Sequence, residues 1–351
     1  MRKILLLIFC LLISNVFAQG DVKISGKWFL HYTNGKSNGK DVSFTSISKG
    51  YVNFTKDIGD GFSVKVTPDI KLDNSGENKG DLNIRLKYFV LKYKMKNFGF
   101  ISKPTLTVGL VPRSFYGFEQ KINGYRIQGN MFMDRNKIIG TTDYGLNFSG
   151  LLGGEVSKDY QRKVNKAYPG RYGSFALGIY NGSGYHGIEE NTNKIVDARL
   201  SLRPLSELLP NLQLTYYGSF GKGNTPVEPD FKLNAFLLTF DHEYFALTGQ
   251  YFKSTGTVSG KAIENGKAYN LKGYSFFVDL KLVPKVFTVF ARYDKITREK
   301  VTEENQNEII AGAAYTVRKG IRLVLDYDTT KKYLSEYSNN VLVKFSMEVK
   351  F

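Results

Sequence analysis

His31, His186 and His242 are the only histidines of the chain, and Cys10 is its only cysteine. Acid–base or nucleophilic catalysis needs a histidine and a carboxylate placed together beside a nucleophile or water. Asp241-His242-Glu243 has the right residue types, but it reads as a solvated tight turn, and His186 lies in a glycine-rich loop. With no closely spaced histidines there is no metal-ligand cluster. The acidic pieces Asp73 with Glu77, Glu189-Glu190 and Glu303-Glu304 read as solvated loops. Gly221-Lys222-Gly223-Asn224 lacks the strand-to-helix setting of a phosphate-binding loop. No catalytic residue, metal or cofactor is expected. What the side chains do supply is positive charge, with 49 Lys and Arg against 32 Asp and Glu, a formal net charge of +17. That charge suits electrostatic guidance of anions rather than bond chemistry.

The compartment decides which anions. Arg2-Lys3 precede an apolar run from Ile4 to Ile13, and Val16-Phe17-Ala18 supplies a small-residue cleavage site before Gln19, the pattern of a secretory signal peptide over residues 1–18. The run is too short to span a bilayer. Cys10 lies inside it, so the mature chain, 19–351, is expected to be one domain without disulfides. Export removes nucleic acid as the partner that such basicity would otherwise suggest. Lipopolysaccharide outside, or small anions inside a lumen, remain. No later segment approaches the roughly twenty apolar residues of a membrane helix, so a membrane-spanning form must be a barrel.

The elements that would position the charges are strands. From Val341 to Phe351 every second residue is apolar, with Lys344, Ser346, Glu348 and Lys350 between them. This looks like the closing strand of an outer-membrane barrel, with apolar side chains toward lipid and polar ones toward the lumen. Period-two segments fall near 22–31, 49–56, 62–72, 82–95, 105–111, 143–151, 173–181 and 194–203. They continue at 211–220, 232–241, 244–253, 271–282, 286–295, 308–317, 320–328 and 341–351. About sixteen strands, joined by alternately short and long connectors, is the pattern of a barrel with both termini in the periplasm. Residues 32–48, 73–81, 112–142, 182–193, 221–231, 254–270, 296–307 and 329–340 are the expected outer loops. One connector, 152–172, is too long for the periplasmic side, unless the register slips there by a hairpin. On this topology His31 and His186 lie at or beyond the outer rim and His242 in a periplasmic turn. Abundant Tyr and Phe are read as girdles and wall packing.

Val108-Gly109-Leu110-Val111-Pro112-Arg113-Ser114-Phe115, Met133-Asp134-Arg135, Thr142 to Gly150, Gly178 to Gly184 and Ala198 to Pro204 stand in an order that resembles the phosphate-selective porin O and P family of outer-membrane channels. The resemblance implies a barrel of about sixteen strands, usually a homotrimer, whose third loop folds inward. That loop would be 112–142 here, with Arg113, Lys121, Arg126 and Arg135 as its basic members. The family's dense arginine and lysine arrays do not map onto this chain position by position, which leaves phosphate selectivity open.

The expectation is therefore an all-β, transmembrane antiparallel barrel in the outer membrane of a Gram-negative bacterium. It would act as a passive diffusion porin for small hydrophilic solutes, with a preference for anions. A structural or adhesive barrel is the second reading and a barrel enzyme the third. Lys23, Lys27, Lys65, Arg199, Arg203, Arg322 and Lys344 are expected to line the lumen, with the loop residues at its constriction. Phe351 is expected to carry the signal read by the barrel-assembly machinery. The remaining expected partners are outer-membrane lipid, lipopolysaccharide and small anionic solutes.

Overall fold

A computed structural model describes residues 21–72, 80–333 and 337–351. The signal segment lies outside the described residues, as do Asp73 and Glu77. Eight barrel strands make up the first half: β1 (Lys23–Ser37), β2 (Lys40–Gly59), β3 (Phe62–Leu72), β4 (Leu82–Lys94), β5 (Ile101–Pro112), β6 (Thr142–Leu152), β7 (Gly173–Tyr180) and β8 (Ile195–Leu202). The second half supplies β9 (Leu212–Lys222), β10 (Asp230–Asp241), β11 (Phe245–Thr255), β14 (Asn270–Val283), β15 (Phe287–Glu299), β16 (Glu304–Arg318), β17 (Ile321–Tyr333) and β18 (Tyr337–Lys350). These sixteen close into an antiparallel barrel. The two-residue strands β12 (Ile263–Glu264) and β13 (Lys267–Ala268) form a separate hairpin. Closure pairs β1 with β18, from Lys27 opposite Lys350 to Ser37 opposite Asn340. Every barrel strand therefore has two neighbours, and no edge is left to satisfy in lipid.

Alternation assigns the faces. In β8, Val196, Leu200 and Leu202 stand exposed on the outside while Asp197, Arg199 and Ser201 are buried on the inside. The same division holds in β18, with Val343 and Phe345 outward and Ser346 and Glu348 inward. Large apolar residues exposed around a closed barrel mark a surface made for lipid.

Two expectations about connectors change. Residues 32–48 are not a loop: β1 and β2 run on through them and meet at a tight turn, Asn38-Gly39. β17 likewise continues to Tyr333 and β18 begins at Tyr337, inside the segment expected as the loop 329–340. The far ends of β1 and β17 are polar on both faces, and on β2 the bulge at Ser48 puts Val42 and Phe44 on the inner face and Ile47 on the outer, so no steady apolar alternation announces these ends, yet their backbones still pair. The long connector is real, because β6 and β7 pair from Gly145 opposite Tyr180 to Leu152 opposite Gly173 and leave 153–172 between them. It holds the short helix α3 (Lys158–Lys163), capped by the Ser157 hydroxyl accepting from the Tyr160 amide at 3.1 Å.

The inner wall is not uniformly polar. Along β10, Phe231, Leu233, Ala235 and Leu237 all point inward and are buried. Against them packs the segment between β5 and β6, which carries helices α1 (Tyr116–Ile122) and α2 (Phe132–Arg135). Phe115, Phe118, Phe132, Met133, Ile138 and Ile139 form one core with this wall. A second core joins Tyr125 and Ile127 to Phe29, Phe277, Phe290 and Val324 on the far side of the barrel. An apolar core inside the barrel is what holds the segment there.

Candidate functional site

The inserted segment is tied at its root by Arg113. Its guanidinium donates to Asp197 Oδ2 at 3.1 Å and Oδ1 at 2.6 Å, and to Ser219 Oγ at 3.0 Å, with Asp143 at 3.9 Å. All of these groups are buried. Tyr217 also donates to Asp197, at 2.8 Å. Arg199 donates to the Ser114 carbonyl at 3.2 Å, and its guanidinium lies 4.5 Å from the Phe118 ring centre and 5.0 Å from that of Tyr168. Tyr168 belongs to connector 153–172, so one arginine joins wall, inserted segment and connector. Arg203 bonds the Gly170 carbonyl and the Tyr160 hydroxyl of the same connector.

Other basic residues are held by carboxylates. Arg135 meets Glu308 at 2.6 Å and Asp328 at 3.0 Å. Lys344 meets Asp326 at 3.0 Å and Asp328 at 2.9 Å, and donates to the Gln128 carbonyl at 3.0 Å. Lys27 pairs with Glu348 at 3.2 Å. Arg322 donates to the Gly124 carbonyl at 3.1 Å, below the Tyr125 ring. Lys23 is exposed at the rim that carries the termini, and Lys121 is exposed at the end of α1.

The arc from β2 to β4 differs, because the apolar side of the inserted segment turns away from it. Lys49, Lys65 and Lys87 point inward there and form no ion pair among the described residues. Lys65 lies over the Tyr88 ring at 4.9 Å, and Lys87 lies between Tyr51 at 5.8 Å and Tyr88 at 5.6 Å. Arg85 on the same arc is bound to Asp69 at 3.0 and 3.2 Å and to the Tyr185 hydroxyl at 2.9 Å. From the inserted segment, Arg126 faces the arc with Asp134 at 3.7 Å, while donating to the Tyr116 hydroxyl at 2.8 Å. Lys49 and Lys87 both feel the charges of Arg126, Asp69 and Asp134. Four cations, Lys49, Lys87, Arg85 and Arg126, thus meet two carboxylates in a setting of tyrosines. The excess is positive.

Of these, Lys65 and Arg126 are among the sequence-expected lining residues. Lys49, Lys87, Arg85 and Asp134 are not, and a β-bulge lies beside Lys49 and another at Lys87. Phe29 pairs with Lys49 but Leu30 with Ile47, so Ser48 is an extra residue on β2. Thr67 pairs with Tyr88 but Pro68 with Leu86, which makes Lys87 the extra residue on β4. A bulge re-aims side chains by breaking strict alternation. Pro68 is the one sequence signal, since proline cannot donate to a ladder. His31 is also not at the outer rim: it sits within β1, with Nδ1 at 2.6 Å from Ser346 Oγ and Nε2 at 2.5 Å from Ser48 Oγ.

Comparison with solved structures places this geometry in a known architecture. The trimer form of OmpT, an outer membrane protein of Vibrio cholerae, matches with a TM-score of 0.60 at 10% identity, covering 94% of this chain and 99% of that one. An anion-selective porin from Comamonas acidovorans matches with 0.61 at 12% identity, over 94% and 99%. OmpF of Salmonella typhi, in complex with daunomycin, matches with 0.63 at 12% identity, over 94% and 97%. The fold is a porin-type barrel. No protein-family model matches the chain, and no curated protein matches it in sequence.

Proposed function

We propose that the protein is a passive diffusion porin of the outer membrane that favours small anions. The observation that carries this reading is the set of lysines without ion pairs among the described residues, Lys49, Lys65 and Lys87, on the arc that the apolar side of the inserted segment leaves uncovered. The nearest carboxylates, Asp69 and Asp134, are already engaged by Arg85 and Arg126, so the lysine charges remain available to a passing ion, and the low-dielectric wall strengthens their field. The inserted segment, 113–141, narrows the lumen, so solutes pass between it and β2 to β4. The exposed apolar belt fits a barrel in the outer membrane of a Gram-negative bacterium, and in this reading the termini and short turns face the periplasm.

Inorganic phosphate is one small oxyanion within the class this arc would favour. A homotrimer fits the trimer form recorded for one structural neighbour. Under a potassium chloride gradient across a planar bilayer, the reversal potential of the refolded protein should indicate anion preference. A cation-selective channel would overturn the anion assignment. Silent insertion would overturn the channel itself and favour an adhesive or structural barrel.

A further inference from the structure

Toward the rim opposite the termini, a cavity of about 290 Å³ lies between β1, β2, β18 and residues 126–130 of the inserted segment. Its lining divides into two kinds. Phe29, Phe44, Ile127 and Leu342 contribute apolar surface, and Phe44 is 49% exposed although it faces inward, opposite Thr33. Lys49, Arg126 and Lys344 contribute positive charge, and among the described residues no carboxylate lines the cavity. Lys344 is spent on Asp326 and Asp328, and Arg126 is partly offset by Asp134, which leaves Lys49 as the lining cation without an ion pair among the described residues.

Gln128 supplies a separate observation. It borders the same cavity and is 2% exposed, yet both the oxygen and the nitrogen of its carboxamide lack a hydrogen-bond partner. Buried amides without partners cost stability, so one beside a cavity points to something that the cavity receives. Around it Ser46, Ser48 and Thr33 offer hydroxyls, and His31 holds Ser48 in place.

We propose that this cavity is a binding site for a small amphipathic monoanion, a carboxylate carried on a ring-sized apolar body. The inference rests on the channel reading and narrows its substrate class. A purely inorganic anion would leave the half-exposed Phe44 ring wet, and an uncharged ring would leave Lys49 unanswered. The cavity is at the small end of ligand sites, which suits a single ring. Solutes of this kind would pause here before reaching Lys87 and Lys65.

Calorimetry on detergent-folded protein reads the site without requiring conduction. Phenylacetate should bind at least tenfold more tightly than acetate and than 2-phenylethanol, and Phe44→Ser and Lys49→Gln should each weaken it about tenfold. Ser46→Leu, which fills the cavity, replaces either variant that fails to fold by heat-dependent gel mobility, and it should abolish binding. Equal affinity for phenylacetate and acetate, equal affinity for phenylacetate and 2-phenylethanol, or indifference to the substitutions would overturn the proposal. Conductance in potassium chloride alone, measured in parallel, reports separately on the channel.

Discussion

The ring of Phe351 lies over Gly26 and fills the space that a Cβ on Gly26 would occupy. The two residues also exchange backbone hydrogen bonds, Gly26 N to Phe351 O at 2.9 Å and Phe351 N to Gly26 O at 3.2 Å. Together they end the β1–β18 ladder that closes the barrel.

A side chain at position 26 and the aromatic ring at 351 compete for one volume. Gly26→Leu should displace the ring, and Phe351→Ser should leave the glycine uncovered at the last rung. Both variants should lower the yield of the folded, faster-migrating band in unheated detergent gels. Wild-type folding yield and outer-membrane abundance for both would remove any role of this contact in closure.

Selectivity should follow the lysine arc rather than the arginines. An amine about 4 Å from a passing anion in water contributes roughly 1 kcal/mol, or about fivefold in preference, before salt screening. Lys49→Gln, Lys65→Gln and Lys87→Gln should each move the reversal potential toward cations by up to that factor, most strongly at low salt. Arg135→Gln should move it less, because Arg135 already answers Glu308 and Asp328. A larger shift from Arg135 than from any lysine would refute the assignment.

Arg113 should matter for order instead. Removing one partner of a buried ion pair costs about 3–5 kcal/mol, because the other charge is left uncompensated. Arg113→Gln strands Asp197, so it should loosen the root of the inserted segment and raise open-channel current noise. It should also lower the temperature at which the folded band is lost. The double variant Arg113→Gln/Asp197→Asn should recover part of that temperature.

Glu119 lies on α1 of the inserted segment, not on a spanning strand. Burial pushes its carboxyl from 4.5 up to about 8, against the opposing effect of Arg292 and Arg126, with Asp134 and Asp294 adding to the rise. Below pH 4.5 the group is protonated whether the segment is docked or released. Between pH 4.5 and 8 only the docked form keeps the proton, so docking weakens as pH rises and is weakest above 8. Protease cleavage within 113–141 should therefore increase from pH 5 to pH 9, and Glu119→Gln should flatten that dependence. A wild-type cleavage rate that does not change with pH would exclude this role.

The β-strands were legible because lipid on one face and water on the other force a period of two, as in Val341 to Phe351 and Val196 to Leu202. That constraint acts residue by residue, so the sixteen strands and their facing follow from the order of side chains alone. It vanishes where water lies on both sides, as at the far ends of β1 and β17, and it is broken on β2 where the bulge at Ser48 shifts the facing. Inside the lumen no local rule operates. Phe231, Leu233, Ala235 and Leu237 are buried because a segment nearly a hundred residues earlier folds onto them. Arg113 and Lys49 look alike as charges in sequence, yet one is neutralised by Asp197 and Asp143 and the other is not. Pairing between side chains far apart in the chain, and the bulges at Ser48 beside Lys49 and at Lys87, were settled only when the barrel closed around its inserted segment.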